Sequence, residues 1–224
     1  MKKSQKQLTR PKTWSRHSKP HSEQPLRERI LAAAFSAFME RGYAGTSTLE
    51  IATRANVSKR ELYALFDSKQ AILTACIAER AKRMRLPLEL RPPRDREALE
   101  RTLQTFGATV LREVSHASVL GVYRLALAEA ERSPEVAQSL YTHGRKANHA
   151  AISDFLVAAQ ALGLVGPEDP AAMAAQFLAL LWGDLLNQLL LRVTDAPSEA
   201  EIEQRACAAT ESFLLLHSGS ARSR

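Results

Sequence analysis

The sequence predicts an all-α chain: an N-terminal three-helix helix-turn-helix head, then a larger helical body. Three observations predict it. Alanine and leucine abound, aromatics make up only 6% of the chain, and the period-2 runs of Val, Ile and Thr that would mark strands are missing. Pro134, Pro167, Pro170 and Pro197 fall between long apolar-periodic stretches, where helices start and stop. Residues 42–73 read GYAGTSTLEIATRANVSKRELYALFDSKQAIL, with a capping box at each of two short helix starts.

Taken in order, LRERILAAAFSAFMERG (26–42) is the first helix. Ile30, Ala34, Ala37 and Phe38 line its inner side, Leu31 and Phe35 widen it, and Gly42 stops it. Ser47 and Glu50 open the second helix, whose inner face is Ile51, Ala52 and Ala55. Asn56 sits where a left-handed turn residue is wanted. Ser58 and Glu61 open the third helix. Leu62, Leu65 and Phe66 form its apolar stripe, and Lys59, Arg60 and Tyr63 remain for the outside. A helix, a short turn and a second helix with a basic leading edge suit the DNA major groove.

Asp67 or Ser68 caps a fourth helix, running through Lys69, Ile72, Leu73, Cys76 and Ile77 to about Met84. Pro87, Pro92 and Pro93 then break the chain and mark a seam. The head is assigned to 25–70 and the body to 71–217, with helices at about 95–114, 117–131, 134–162, 169–193 and 198–216. Gly163 and Gly166 close the 134–162 helix. No repeat of fixed period is visible.

The charge is unevenly placed. Seven cations, from Lys2 to Lys19, precede the first acid, Glu23. They account for the whole formal charge of +7, because removing them leaves 24 residues of each sign. Residues 1–24 read as a disordered basic tail, either gripping phosphates or serving as a solubilising leader. No apolar core follows these charges, so the tail is not a secretory signal. Residues 218–224 read as a disordered C-terminus. Cys76 and Cys207 lie far apart in helical patterns, and no Cys/His cluster has zinc spacing, so neither metal nor cofactor is expected. A reduced, cytoplasmic setting follows. The best candidate for a membrane span, FLALLWGDLLNQLLL (177–191), is too short and carries Asp184, Asn187 and Gln188.

The head resembles the tetracycline-repressor (TetR) family. Gly42-Tyr43, Thr46-Ser47, Ile51-Ala52, Ala55-Asn56-Val57-Ser58, Leu62-Tyr63, Phe66 and Ser68-Lys69 match its pattern in order and spacing. The segment VYRLALAEAERSPEVAQSLYTHG (122–144) is similar to the AefR-like subclass. Asn56, Arg60, Glu61 and Leu65 depart from the pattern; Glu61 would repel a phosphate and is explained by its capping role. The resemblance implies a cytoplasmic homodimer that represses transcription from a palindromic double-stranded DNA operator. It also implies a body that holds a small-molecule effector, and an interface built from the last two helices. Thr46, Ser47, Ser58, Lys59, Arg60, Tyr63 and Lys69 are the DNA-facing candidates. Arg60 is suited to a guanine, and Tyr63 and Lys69 to phosphates.

His116, Tyr123, Arg124, His143, His149, Trp182, Asp184, Asn187 and Gln188 are polar or amphipathic groups within apolar helices. Tyr123, Arg124, His143, Trp182 and Asn187 are the effector-binding candidates, since small-molecule pockets are apolar with a few placed polar groups. For each, the alternative is a surface residue or a satisfied buried group. His143 and His149 are six apart and do not share a helix face, which speaks against a metal pair. An enzyme finds no support: there is no nucleophile motif, Gly-rich phosphate loop or carboxylate pair with a base partner. The competing reading is a constitutive or architectural DNA-binding protein without an effector.

Overall fold

A computed structural model describes residues 23–90 and 93–218. The head comprises α1 (Glu23–Gly45), α2 (Thr48–Arg54) and α3 (Lys59–Leu65). Helix α4 (Lys69–Leu90) runs from the head into the body. There follow α5 (Arg96–Ser115), α6 (Ala117–Ala128), α7 (Pro134–Ser139), a π-helical segment (Leu140–Lys146) and α8 (Ala147–Ala161). The chain ends in α9 (Pro170–Trp182), α10 (Leu185–Leu191) and α11 (Glu199–Leu216). Among the described residues there is no sheet, only a single bridge between Val165 and Ser218.

The head closes around Ile30, Ala34, Phe38, Ile51, Leu62, Ile72 and Leu73. Its core continues past residue 70 through Cys76 and Ile77, and takes in Val122, Ala126 and Val136 from α6 and α7. Gly42 has φ +75, so it breaks α1 as expected. Asn56 has φ +53, the left-handed turn residue the sequence calls for. The reading of a basic tail falls on residues 1–22, outside the described residues; Glu23 and Gln24 open α1. The reading of 219–224 is likewise outside them.

The body is organised on α5. Leu99, Leu103, Phe106, Val110, Leu111 and Val114 are all buried along it. Phe106, Phe177 and Phe213 form an aromatic ladder at 6.3 and 5.5 Å between centroids. His217 continues it at 4.8 Å. At Gly107 an added Cβ would lie 3.1 Å from Leu181 and 3.4 Å from Ala206, so this glycine sets the close approach of α5, α9 and α11. The Arg96 guanidinium donates to the carbonyls of Leu164 (3.0 Å) and Leu214 (2.9 Å), tying three elements at one end of the body.

Four expectations are corrected. Helix α4 does not end at Met84 or break at Pro87 but continues through that proline to Leu90. Met84 and Leu88 are buried in the body core, and this packing outweighs the hydrogen bond that proline removes. Helix α6 stops at Ala128 rather than 131, where Ser133 and Arg132 turn back to the Glu129 carbonyl. The single helix expected over 134–162 is interrupted by the π-helical segment, just before which the Ser139 hydroxyl of α7 meets Thr74 on α4 at 3.0 Å. The helix expected over 169–193 is cut at Gly183 (φ +47), and its halves diverge by 53°. Arg124 holds the second half by donating to the Leu189 and Leu190 carbonyls at 2.7 and 3.1 Å. No single described helix is long and apolar enough to cross a membrane; the bent α9–α10 pair passes by length and composition together.

Candidate DNA-binding face and effector cavity

The recognition helix α3 is set by its first residue pair. The Glu61 amide donates to Ser58 Oγ at 3.1 Å, and the Ser58 amide and hydroxyl both donate to the Glu61 carboxylate at 2.8 Å. Those bonds hold the Glu61 carboxyl below the usual carboxylate range. The box at α2 is only half made. The Glu50 amide donates to Ser47 Oγ at 3.1 Å, but the Glu50 carboxylate turns to Arg54 (2.8 Å) and Arg41 (3.1 Å) instead. Arg54 also pairs with Glu40 at 2.8 Å, and with Ser36 it pulls the Glu40 carboxyl down to about 2.

Lys59, Arg60 and Tyr63 are exposed on α3. Among the described residues no ion pair engages Lys59 or Arg60. The Tyr63 hydroxyl lies 3.0 Å from Thr48 Oγ1, a partner the sequence reading missed. Thr48 directly follows the Ser47 cap and was legible only as a helix start. Ser47 and Ser58 are exposed, with their hydroxyl oxygens engaged in capping.

Thr46 and Lys69 are placed differently from the other candidates. Thr46 is 2% exposed, and its hydroxyl donates to the Gly42 and Ala37 carbonyls at 2.8 and 3.1 Å. The Lys69 ammonium donates to the Tyr43 and Thr46 carbonyls at 2.7 and 3.0 Å and sits 4.3 Å from the centre of the Tyr43 ring. Burial lowers its pKa. Thr46 ties the turn after α1 back onto α1, and Lys69 staples the start of α4 to the end of α1 and that turn.

A cavity of about 430 Å³ lies between α4, α5, α6, the π-helical segment, α8, α9 and α10. That is within the range of about 300–1,000 Å³ typical of small-molecule sites. Tyr123, Trp182 and Asn187 line it. Arg124 does not, being committed to the end of α10, and neither does His143, which is exposed on the π-helical segment. Burial raises the Tyr123 hydroxyl above its usual range, and nearby Arg145 opposes this. Asp184 accepts from the side-chain amides of Asn187 and Gln188, and His116 caps α6.

Arg80, Arg145 and Asn148 line the cavity but were not singled out from the sequence; His149 lines it too, though not among the chosen candidates. One signal was available: Cys76, Arg80 and Met84, each four apart, form a single stripe of α4. Cys76 is buried beside the cavity, which pushes its thiol up to about 12. No group of three His, Cys, Asp or Glu that could hold a metal occurs among the described residues.

The fold and these two sites define a class: a helix-turn-helix DNA-binding protein with a hollow helical body. Residues 30–76 match the bacterial regulatory proteins of the tetR family. Residues 101–217, over half the chain, match the C-terminal domain of AefR-like transcriptional repressors. The chain therefore belongs to the TetR family of transcriptional regulators. It is 25% identical to YvkB, an HTH-type transcriptional regulator of Bacillus subtilis, over 80% of this chain and 92% of that one. A TetR-family regulator structure from Mesorhizobium loti superposes with TM-score 0.72 at 27% identity, over 88% of this chain and 98% of that one. The flavonoid-responsive regulator FrrA superposes with TM-score 0.70 at 30% identity, over 88% and 100%.

Proposed function

We propose that the protein is a cytoplasmic repressor that binds a two-fold symmetric operator as a homodimer and is released by a small, mostly apolar molecule. One observation carries the effector half of this reading: the cavity and the head share a wall. Cys76, Ile77 and Val122 belong to the head's buried core, Phe35 and Leu140 pack against that core, and all five line the cavity. A molecule entering the cavity touches side chains that hold the head in place. It weakens DNA binding by the factor with which it prefers the DNA-incompetent arrangement, and DNA weakens it equally. FrrA's response to flavonoids supports an effector with an aromatic frame. The exposed Leu180, Leu215 and Leu216 on α9 and α11 support pairing of two bodies through these helices.

The test is operator release, with each compound also scored by thermal shift. For a typical coupling of about 1–3 kcal/mol, an effector should weaken operator binding by about 5–150-fold. Release by no aromatic or lipophilic compound sinks the effector reading. Sedimentation showing a monomer at micromolar concentration, alone and on DNA, sinks the dimer.

A further inference from the structure

The cavity is apolar over most of its wall, yet its ionisable lining is one-sided. Arg80, Arg145 and His149 line it, and no carboxylate does among the described residues. The nearest acids in sequence are engaged elsewhere: Glu79 pairs with Arg27 at 3.7 Å, and Asp184 accepts the Asn187 and Gln188 amides. Arg80 is half-buried, its guanidinium 4.4 Å from the centre of the Phe35 ring. The Phe35 ring brings the guanidinium no counter-charge, and no ion pair engages Arg80 or Arg145 among the described residues. A half-buried cation in apolar surroundings is costly until an anion joins it. Arg is the side chain best matched to a planar oxyanion.

Asn148 borders the same space. Asn148 is 7% exposed and its Oδ1 has no hydrogen-bond partner, while its amide reaches only the Met84 sulfur at 3.3 Å. Across the cavity Trp182 offers a flat wall.

We propose that the effector is an amphipathic aromatic anion, with an ionised oxygen facing Arg80 and Arg145 and a ring packed against Trp182. This rests on the reading of the cavity as the effector site and narrows the ligand from apolar to acidic. The ionised oxygen is a carboxylate or an acidic phenolate.

The experiment compares matched anion and neutral pairs by calorimetry on the full-length chain: 4-hydroxycinnamate with its methyl ester, and 4-nitrophenolate with 4-nitroanisole. Trp14→Phe leaves Trp182 as the sole tryptophan, so quenching of its fluorescence reports the same binding. At least one anion should bind about tenfold or more tightly than its neutral partner. Which pair shows it identifies carboxylate or phenolate. Arg80→Met should bring that ratio close to one, and Arg80→Lys should keep part of it. Arg145→Met, at an exposed position, should lower the ratio and serves if Arg80→Met fails to fold. Neutral partners binding as tightly as the anions, or an anion preference that survives both arginine variants, overturns the proposal. If neutral compounds alone release the operator, the effector reading stands and this inference falls. If nothing binds or releases, both fall.

Discussion

The head closes on one small core, whereas the body is packed solid at one end and hollow at the other. At the solid end the Phe106–Phe177–Phe213 ladder, Gly107 and the Arg96 clasp bring α5, α9 and α11 together. At the hollow end the same α9 stops at Gly183, and the π-helical segment replaces a regular turn, leaving about 430 Å³ between them. The two irregular backbones are thus placed where space is needed, and the regular ones where stability is made. The head has no such division. Its short helices are fixed by caps, a lysine staple and the Glu40–Arg54–Glu50 ion network.

That contrast is open to attack. The largest effect is expected at the solid end. Phe177→Ala, fully buried in the ladder, should cost about 3–5 kcal/mol in urea unfolding. Leu178→Ala, half-buried against the cavity, should cost about 1–2 kcal/mol, because fewer contacts are there to lose. Equal costs would show that the two ends are not packed differently.

In the head, Lys69→Met removes two charge-assisted hydrogen bonds to carbonyls and should destabilise that region by about 1.5–3 kcal/mol. Hydrogen exchange should rise first around Tyr43 and Thr46. Exchange confined to the body would contradict the staple. Arg60→Ala should leave the fold intact and cost about 1–3 kcal/mol in operator binding, with relaxed preference at one base position per half-site. An unchanged ranking of operator variants rules out base reading by Arg60.

Smaller effects concern the caps. Ser58→Ala should cost about 0.5–2 kcal/mol, read from the thermal midpoint. The Glu61 carboxyl is lowered in the folded state, so its contribution is complete above the ordinary value of 4.5 and fades as pH falls through the lower folded value. Glu201 in the Ser198 cap of α11 behaves alike. NMR titration should place both midpoints below 4.5; a midpoint at or above it in Glu61 alone would mean that the head's cap is open in solution.

Legibility followed the same division. The head could be read because each boundary is written in one or two adjacent side chains: Gly42, Ser47, Asn56, Ser58. The body's helices were legible as apolar periodicity, but their interruptions were not. The π-helical segment begins just after Ser139 meets Thr74 of α4, and α10 beyond the bend at Gly183 is held by Arg124 from another helix. Sequence spacing carries no record of either. The cavity's aromatic wall was found, at Tyr123 and Trp182, because large amphipathic side chains stand out in alanine-rich helices. Its cation was not, because Arg80 reads as an ordinary polar-face residue until α1 brings Phe35 against it. Thr46 and Lys69 fit a family pattern that does not say which way a side chain points; the tertiary fold turned both inward.

The shared wall also divides the cavity into two kinds of evolutionary ground. Cys76, Ile77 and Val122 serve the head's core and the cavity at once, so on the proposed effector reading a substitution there should change operator affinity and ligand choice together. Ala175, Leu178, Trp182 and Leu186, on α9 and α10, border the cavity without touching the head's core cluster. On the proposed effector reading, drift on that side should retune what is sensed and leave operator choice alone. A designer wanting a biosensor for a new compound should diversify α9 and α10 first and leave α4 and α6 as they stand.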